Sequence, residues 1–283
     1  MKEYKSPPRA SSLIESMRDI GYSFETAIAD IIDNSITAKA SLVDIFCDAD
    51  RHQPVIGILD NGFGMSRDEL LDAMRPGSQS PLEIRRDGDL GRFGLGMKIA
   101  SFSQCRRLTV ITKKSSVVAA TRWDLDYVAT KDEWLLQILD EDECAATPFF
   151  QELGDSGTLV VWENLDRLCD ETQKTSRKDH LYEQLDHVRN HLELVFHRFL
   201  AGERPFPKLA LRINRTEIDA FDPFNSGHPA TIIQPEEKIF VAGAPVLVKS
   251  FVLPHHKKAS KADWERYAGD GGYIKNQGFY VYR

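Results

Sequence analysis

Ile28, Ile31, Ile32 and Ile36 recur at the three-and-four spacing of one helix face, and Ser23 stands where an N-cap starts such a helix. The pattern before it predicts a shorter helix, from an N-cap at Ser11 to a stop at Gly21. Residues 1–10 read as a flexible arm, because Pro7 and Pro8 block regular structure. Beyond the isoleucines the period changes. SLVDIFCD (41–48) alternates apolar and polar positions as a half-buried strand does, and PVIGILD (54–60) reads as a more buried strand. The glycines of DNGFG (60–64) end it, and Ser66 with Glu69 forms the capping-box pattern that opens a helix over 67–74.

Residues 75–93 hold Pro, Ser, Gly and mixed charge with few apolar positions, the pattern of a long loop that serves as a lid. FGLGMKIASFS (93–103) predicts the start of another helix. RRLTVITKK (106–114) and SSVVAATRWDL (115–125) predict a hairpin turning around Lys114 and Ser115. WLLQIL (134–139) and GTLVVWENL (157–165) add strands, so region 1–165 is expected to be α+β with a mostly antiparallel sheet. A long amphipathic helix follows over 176–202, with Leu181, Leu185, Val188, Leu192, Val195 and Phe199 on one face. KLALRIN (208–214), IDAF (218–221), EKIFVAG (237–243), PVLVKSFVLP (245–254) and QGFYVYR (277–283) all have strand character. The last suggests a domain that continues past Arg283.

Composition narrows the class. Apolar residues make up 42% of 283, enough for one or two cores. The net charge of −7 argues against a general nucleic-acid coat. No apolar run approaches the roughly 20 residues of a membrane helix, and the first residues lack a signal-peptide core. Cys47, Cys105, Cys144 and Cys169 lie far apart with no metal-type pairing, which points to reduced thiols and a cytoplasmic protein.

Four short segments carry candidate chemistry. Asp30 and Asn34 are four apart and share a helix face, so an amide oxygen suited to a hard cation lies one turn from a carboxylate able to deprotonate water. Asp60 ends a buried strand, where a carboxylate can accept from an exocyclic amine, and Gly62 and Gly64 let backbone approach a flat ligand before Met65. In GRFGLGMK (91–98), Gly91, Gly94 and Gly96 precede a helix whose free N–H groups suit an anion, with Lys98 adding charge. The string is neither a Walker A loop nor a Rossmann fingerprint. Gly157-Thr158 enters an apolar strand and offers a hydroxyl. Each segment alone also reads as ordinary helix face, turn or packing.

Together and in order, DIIDNSITA, DNGFGM, GRFGLGMK and GT resemble the motifs of the GHKL ATPases (gyrase, heat-shock chaperone, histidine kinase, MutL), on the MORC-like or MutL-like branch. The resemblance covers residues 11–165 and implies a Bergerat-type ATP-binding sandwich using ATP and Mg2+. It makes Asn34 the magnesium ligand and Asp60 the adenine reader. Gly62, Gly64, Met65 and Thr158 would line the base, while Gly91, Phe93, Gly94, Leu95, Gly96, Met97 and Lys98 would form the phosphate-contacting lid end. Asp30 falls where hydrolysing relatives carry glutamate; being one methylene shorter, it implies slow hydrolysis.

The resemblance further implies an ATP-binding domain over 11–168 and an S5-like transducer domain over 169–283, incomplete at its end. In relatives the transducer supplies a lysine to the γ-phosphate, for which Lys257, Lys258, Lys261 and Lys275 are the candidates. The expected function is Mg-dependent ATP binding and slow hydrolysis coupled to lid closure and homodimerisation. A nucleic-acid or protein client would be met by parts outside this sequence. Two other readings use the same pocket. One is an ATP-sensing dimerisation module without turnover. The other is a histidine kinase, prompted by His180, His187, His191 and His197 on the long helix; there, however, the phospho-accepting helix normally precedes the ATP domain.

Overall fold

The computed structural model describes residues 3, 4, 6, 8–51, 53–77, 96–168, 177–269, 272 and 277–282. The lid stretch with Gly91, Phe93, Gly94 and Leu95 lies outside them, as do Cys169 and Lys275. The described residues form two compact units, 1–220 and 221–283.

In the first unit, α1 (Ala10–Arg18) and α2 (Phe24–Thr37) precede β1 (Leu42–Asp48), β2 (Val55–Asp60), α3 (Arg67–Met74) and α4 (Gly96–Gln104). Then come β3 (Arg107–Lys114), β4 (Val117–Asp124), α5 (Leu125–Lys131), β5 (Gln137–Ile138), α6 (Glu141–Ala146) and β6 (Gly157–Glu163). α7 (Arg177–Val195), α8 (His197–Ala201), β7 (Ala210–Ile213) and β8 (Thr216–Glu217) complete it. One eight-stranded sheet runs β5-β4-β3-β6-β2-β1-β7-β8. Its pairings are antiparallel except β1 with β7, as the α+β expectation required.

The strand period sorts side chains to two faces. Ile45, Ile58, Val110 and Trp162 join Ile28, Ile32, Phe102 and Leu185 in a core under the helices. Phe46, Leu59, Ile111 and Val161 form a second core on the other face, beneath Phe149, Phe150 and Leu153. Both faces of the central strands are therefore dry, which explains why β2 reads as a continuous apolar run.

Several sequence expectations change. Arg9, not Ser11, is the N-cap of α1, because Asp132 captures the Ser11 hydroxyl at 2.6 Å and its N–H at 3.1 Å. That helix ends at Arg18, before Gly21. The β3–β4 turn centres on Ser115 and Ser116, both at positive φ. The long helix breaks at Phe196, and its buried face runs Leu181, Leu185, Val188, Leu192, Phe196 by successive steps of four and three, which leaves Val195 46% exposed. α7 packs on α2, and β7 extends the sheet by pairing with β1. The first compact unit runs to 220. Ile218 is buried just past β8, where its N–H donates to the Leu211 carbonyl at 2.9 Å, and residues 277–282 form no strand.

In the second unit β9 (Ile232–Ile233) pairs with β12 (Phe251–Val252), and β10 (Glu237–Val241) with β11 (Ala244–Val248); α9 (Lys261–Ala268) follows. Among the described residues no helix is long and apolar enough to cross a membrane.

Candidate functional site

α2 organises the site. Ser23 caps it by accepting from the Thr26 N–H at 3.4 Å, and the helical period then turns Asp30 and Asn34 to one side. Asn34 Nδ2 donates to the Asp30 carbonyl oxygen at 2.9 Å, which leaves the amide Oδ1 as the acceptor this exposed residue presents. The Tyr22 hydroxyl donates to Asp30 Oδ2 at 2.6 Å. The first residue of α4 stands beside the same carboxylate: a Cβ built on Gly96 would lie 3.4 Å from Oδ2. The first and third motifs therefore meet here.

One residue after Asn34, a 100° turn aims Ser35 at the sheet. Its hydroxyl donates to Asp60 Oδ2 at 3.1 Å. Asp60 Oδ1 accepts from the Gly62 N–H at 2.8 Å and the Thr158 N–H at 3.3 Å. Register explains the second bond, because Asp60 faces Thr158 across β2–β6. Asp60 is buried, and burial pushes its carboxyl above the usual range against the opposing pull of its three donors. Thr112 on β3 faces Thr158 in turn. Its hydroxyl donates to the Gly157 carbonyl at 3.1 Å, accepts from the Met65 N–H at 2.8 Å and lies 3.2 Å from the Thr158 hydroxyl. The second and fourth motifs are thus one hydrogen-bonded unit, with Ser35 and Thr112 as members that the motif reading missed. Ser35 was discernible as the polar residue after Asn34 in an otherwise apolar helix face. Thr112 carried no local signal beyond a polar position in a buried strand.

Gly62 and Gly64 serve packing as well as access. A Cβ on Gly62 would meet the Ala38 carbonyl oxygen at 2.7 Å, and one on Gly64, at φ +65°, would meet that of Lys113 at 2.1 Å. Gly64→Ala is expected to cost about 1–3 kcal/mol, the range for overpacking. Gly77→Ala is the control, since Gly77 has a similar φ of +69° but nothing within 4 Å among the described residues. Equal melting temperatures for the two variants would remove the steric argument.

Lys98 turns to the end of α3. It is buried, and its Nζ donates to the Ala73 carbonyl at the end of α3, at 2.5 Å. Burial lowers its pKa to about 8. Such a site suits a cation, because unsatisfied carbonyls gather at a helix C-terminus. Met65 and Met97 are half-buried against the main core.

The chemistry present fits a magnesium–nucleotide ligand in part. A buried carboxylate with acceptor capacity beyond its three protein donors suits an amine, and an exposed amide oxygen suits a hydrated hard cation. Among the described residues no three His, Cys, Asp or Glu side chains cluster as a metal site, so such a cation would depend on water and phosphate for most of its shell.

Residues 22–158, which include Asp30, Asn34, Asp60 and Thr158, match the family described as histidine kinase-, DNA gyrase B- and HSP90-like ATPase. The chain is similar to the ATPase morc-1 of Caenorhabditis elegans, with 33% identity over 34% of this chain and 11% of that protein. It is also similar to the chaperone protein HtpG of Nitrobacter winogradskyi, with 27% identity over 54% of this chain and 23% of that protein. The putative MutL protein homolog 1 of Schizosaccharomyces pombe is 32% identical over 50% of this chain and 20% of its own length. The chain thus spans less than a quarter of each of these relatives.

Proposed function

We propose that this chain, whose residues 22–158 match the histidine kinase-, DNA gyrase B- and HSP90-like ATPases, binds ATP with magnesium and hydrolyses it slowly. In this reading turnover is coupled to closure over the nucleotide and to homodimerisation, as the ATPase module of a larger protein. One observation carries it: α2 presents Asp30 and Asn34 on one side and, through Ser35, holds Asp60 beside Thr158.

Each residue then has a definite task. Asp60 accepts from the adenine exocyclic amine, with the Thr158 hydroxyl nearby. Guanine places a carbonyl oxygen at that position, so ATP is preferred over GTP. Asn34 Oδ1 would hold the cation, which when bound neutralises phosphate charge. Asp30 orients the attacking water and takes its proton. Gly96 supplies helix-start N–H character beside it. Lys98 reaches a phosphate only by leaving the Ala73 carbonyl.

Calorimetry with ATP and GTP, each with and without magnesium, tests this reading. A ligand at 100 times its Kd stabilises the fold by about 2.7 kcal/mol. Asn34→Ala is expected to melt like the wild type without ligand but to lose the magnesium-dependent part of the gain. An undiminished Mg-ATP gain in that variant, or equal affinity for GTP, would sink the assignment. The reading without turnover retains one support, the short Asp30 side chain drawn to Tyr22. Phosphate release per site separates the two.

A further inference from the structure

The nucleotide reading assigns no task to Tyr22, although its side chain makes the direct contact with the Asp30 carboxylate. Tyr22 lies in the turn between α1 and α2 and is pinned there at three points. Its N–H donates to the Ile20 carbonyl at 2.7 Å. Its own carbonyl accepts from Gln104 Nε2 at 3.3 Å, tying it to the last residue of α4. Its ring packs against the main core. A side chain fixed at its base and along its ring carries its hydroxyl to a defined place, and that place is 2.6 Å from Asp30 Oδ2.

We infer that Tyr22 is a positioning residue for ATP hydrolysis: its hydroxyl fixes Asp30 Oδ2 so that Oδ1 is the oxygen turned to the attacking water. The inference rests on the proposed role of Asp30 as base. An unrestrained aspartate carboxylate rotates about its terminal bond and presents either oxygen in many orientations. A short, charge-assisted O–H···O bond removes that freedom. The phenol is suited to the task because burial, reinforced by the bond to Asp30 and by its charge, raises its pKa above the ordinary tyrosine value. It remains a donor throughout the pH range of an assay. Gly96 lies near the same oxygen, which a Cβ built there would approach to 3.4 Å.

A tyrosine that merely satisfies its hydroxyl on the nearest acceptor would have the same structure, so the test must separate placement of Asp30 from support of the fold. Tyr22→Phe keeps the ring and removes only the hydroxyl. In the full-length protein it is expected to lower kcat for phosphate release by about 10- to 100-fold, the scale of a misplacement of about 1 Å. KM for ATP should stay unchanged. In an Asp30→Asn background the same substitution is expected to leave the residual rate where it was, because the group being positioned has gone. If Asp30→Asn is inactive while Tyr22→Phe turns over like the wild type, the positioning role fails and the base assignment stands. Equal losses in both backgrounds, or a loss confined to KM, also overturn it. Wild-type turnover in Asp30→Asn, or none in the wild type, overturns the base assignment and this inference together.

Discussion

Asp60→Asn is expected to weaken ATP binding by about 10- to 150-fold while leaving the ligand-free protein as stable as the wild type or more so. The binding loss follows from replacing an acceptor by a donor. Asparagine can keep Oδ1 on the Gly62 and Thr158 N–H groups and can turn Nδ2 toward the Ser35 hydroxyl, which then accepts. What it cannot offer adenine is a carboxylate, and a hydrogen bond to a charged group contributes about 1.5–3 kcal/mol. Stability changes in the opposite sense. Burial is the largest influence on the Asp60 carboxyl and raises its pKa in the fold. A carboxyl with a raised folded pKa contributes most when protonated, and that contribution is lost as pH rises through the folded value. Once ionised, the wild type carries a buried charge that asparagine lacks, and the variant should then melt higher. In acid, below the ordinary carboxylate range, the wild type is protonated and the gap should close. Each kcal/mol corresponds to about 2–4 °C in a chain of this size class. Unchanged ATP affinity by calorimetry would remove Asp60 as the adenine reader. A variant that melts lower at neutral pH than in acid, relative to the wild type, would refute the burial argument.

The parts of this fold that sequence discloses are those set by local chemistry. Ser66 and Glu69 form the capping box they spell, and α3 begins at Arg67 as it implies. The isoleucine period gives α2, and the apolar run with its terminal glycines gives β2 and the turn after Asp60. α6 was equally legible, since Asp140 and Glu143 form a capping box, but the neighbouring run WLLQIL draws the eye to a longer strand than the two residues that pair. Other features depend on partners distant in sequence. Ser11 leaves its capping role because Asp132, 121 residues away, claims it. Lys98 follows a glycine-rich string and so reads as a phosphate contact; its burial on Ala73 depends on how α3 and α4 approach each other. β7 joins the sheet by parallel pairing with β1, a contact no local pattern encodes. The same holds for Thr112, whose place in the site comes from strand register alone.

Asp30→Asn is expected to lower phosphate release by about 10²- to 10⁴-fold, the usual contribution of a positioned base, with ATP affinity and melting temperature nearly unchanged. The substitution is close to isosteric. An asparagine oxygen can still accept from the Tyr22 hydroxyl, and the bond from Asn34 goes to the main-chain carbonyl of residue 30, which the substitution does not touch. The amide cannot take a proton from water at neutral pH, so the loss should appear in kcat and spare KM. That split distinguishes a base from a group that only binds nucleotide. The measurement belongs in the full-length protein. Retained turnover would redirect attention along the same helix. Glu25 is the weaker alternative, because it lines a cavity of about 520 Å3 with Gln184 and His187 on the α7 side and its charge acts on His191. Asp33 adjoins Asn34 but is turned about 100° from it, so it would reach the nucleotide only by a change in α2 itself. Fully retained activity in Asp30→Asn, Asp33→Asn and Glu25→Gln alike would leave α2 without a base and place the proton acceptor on another element.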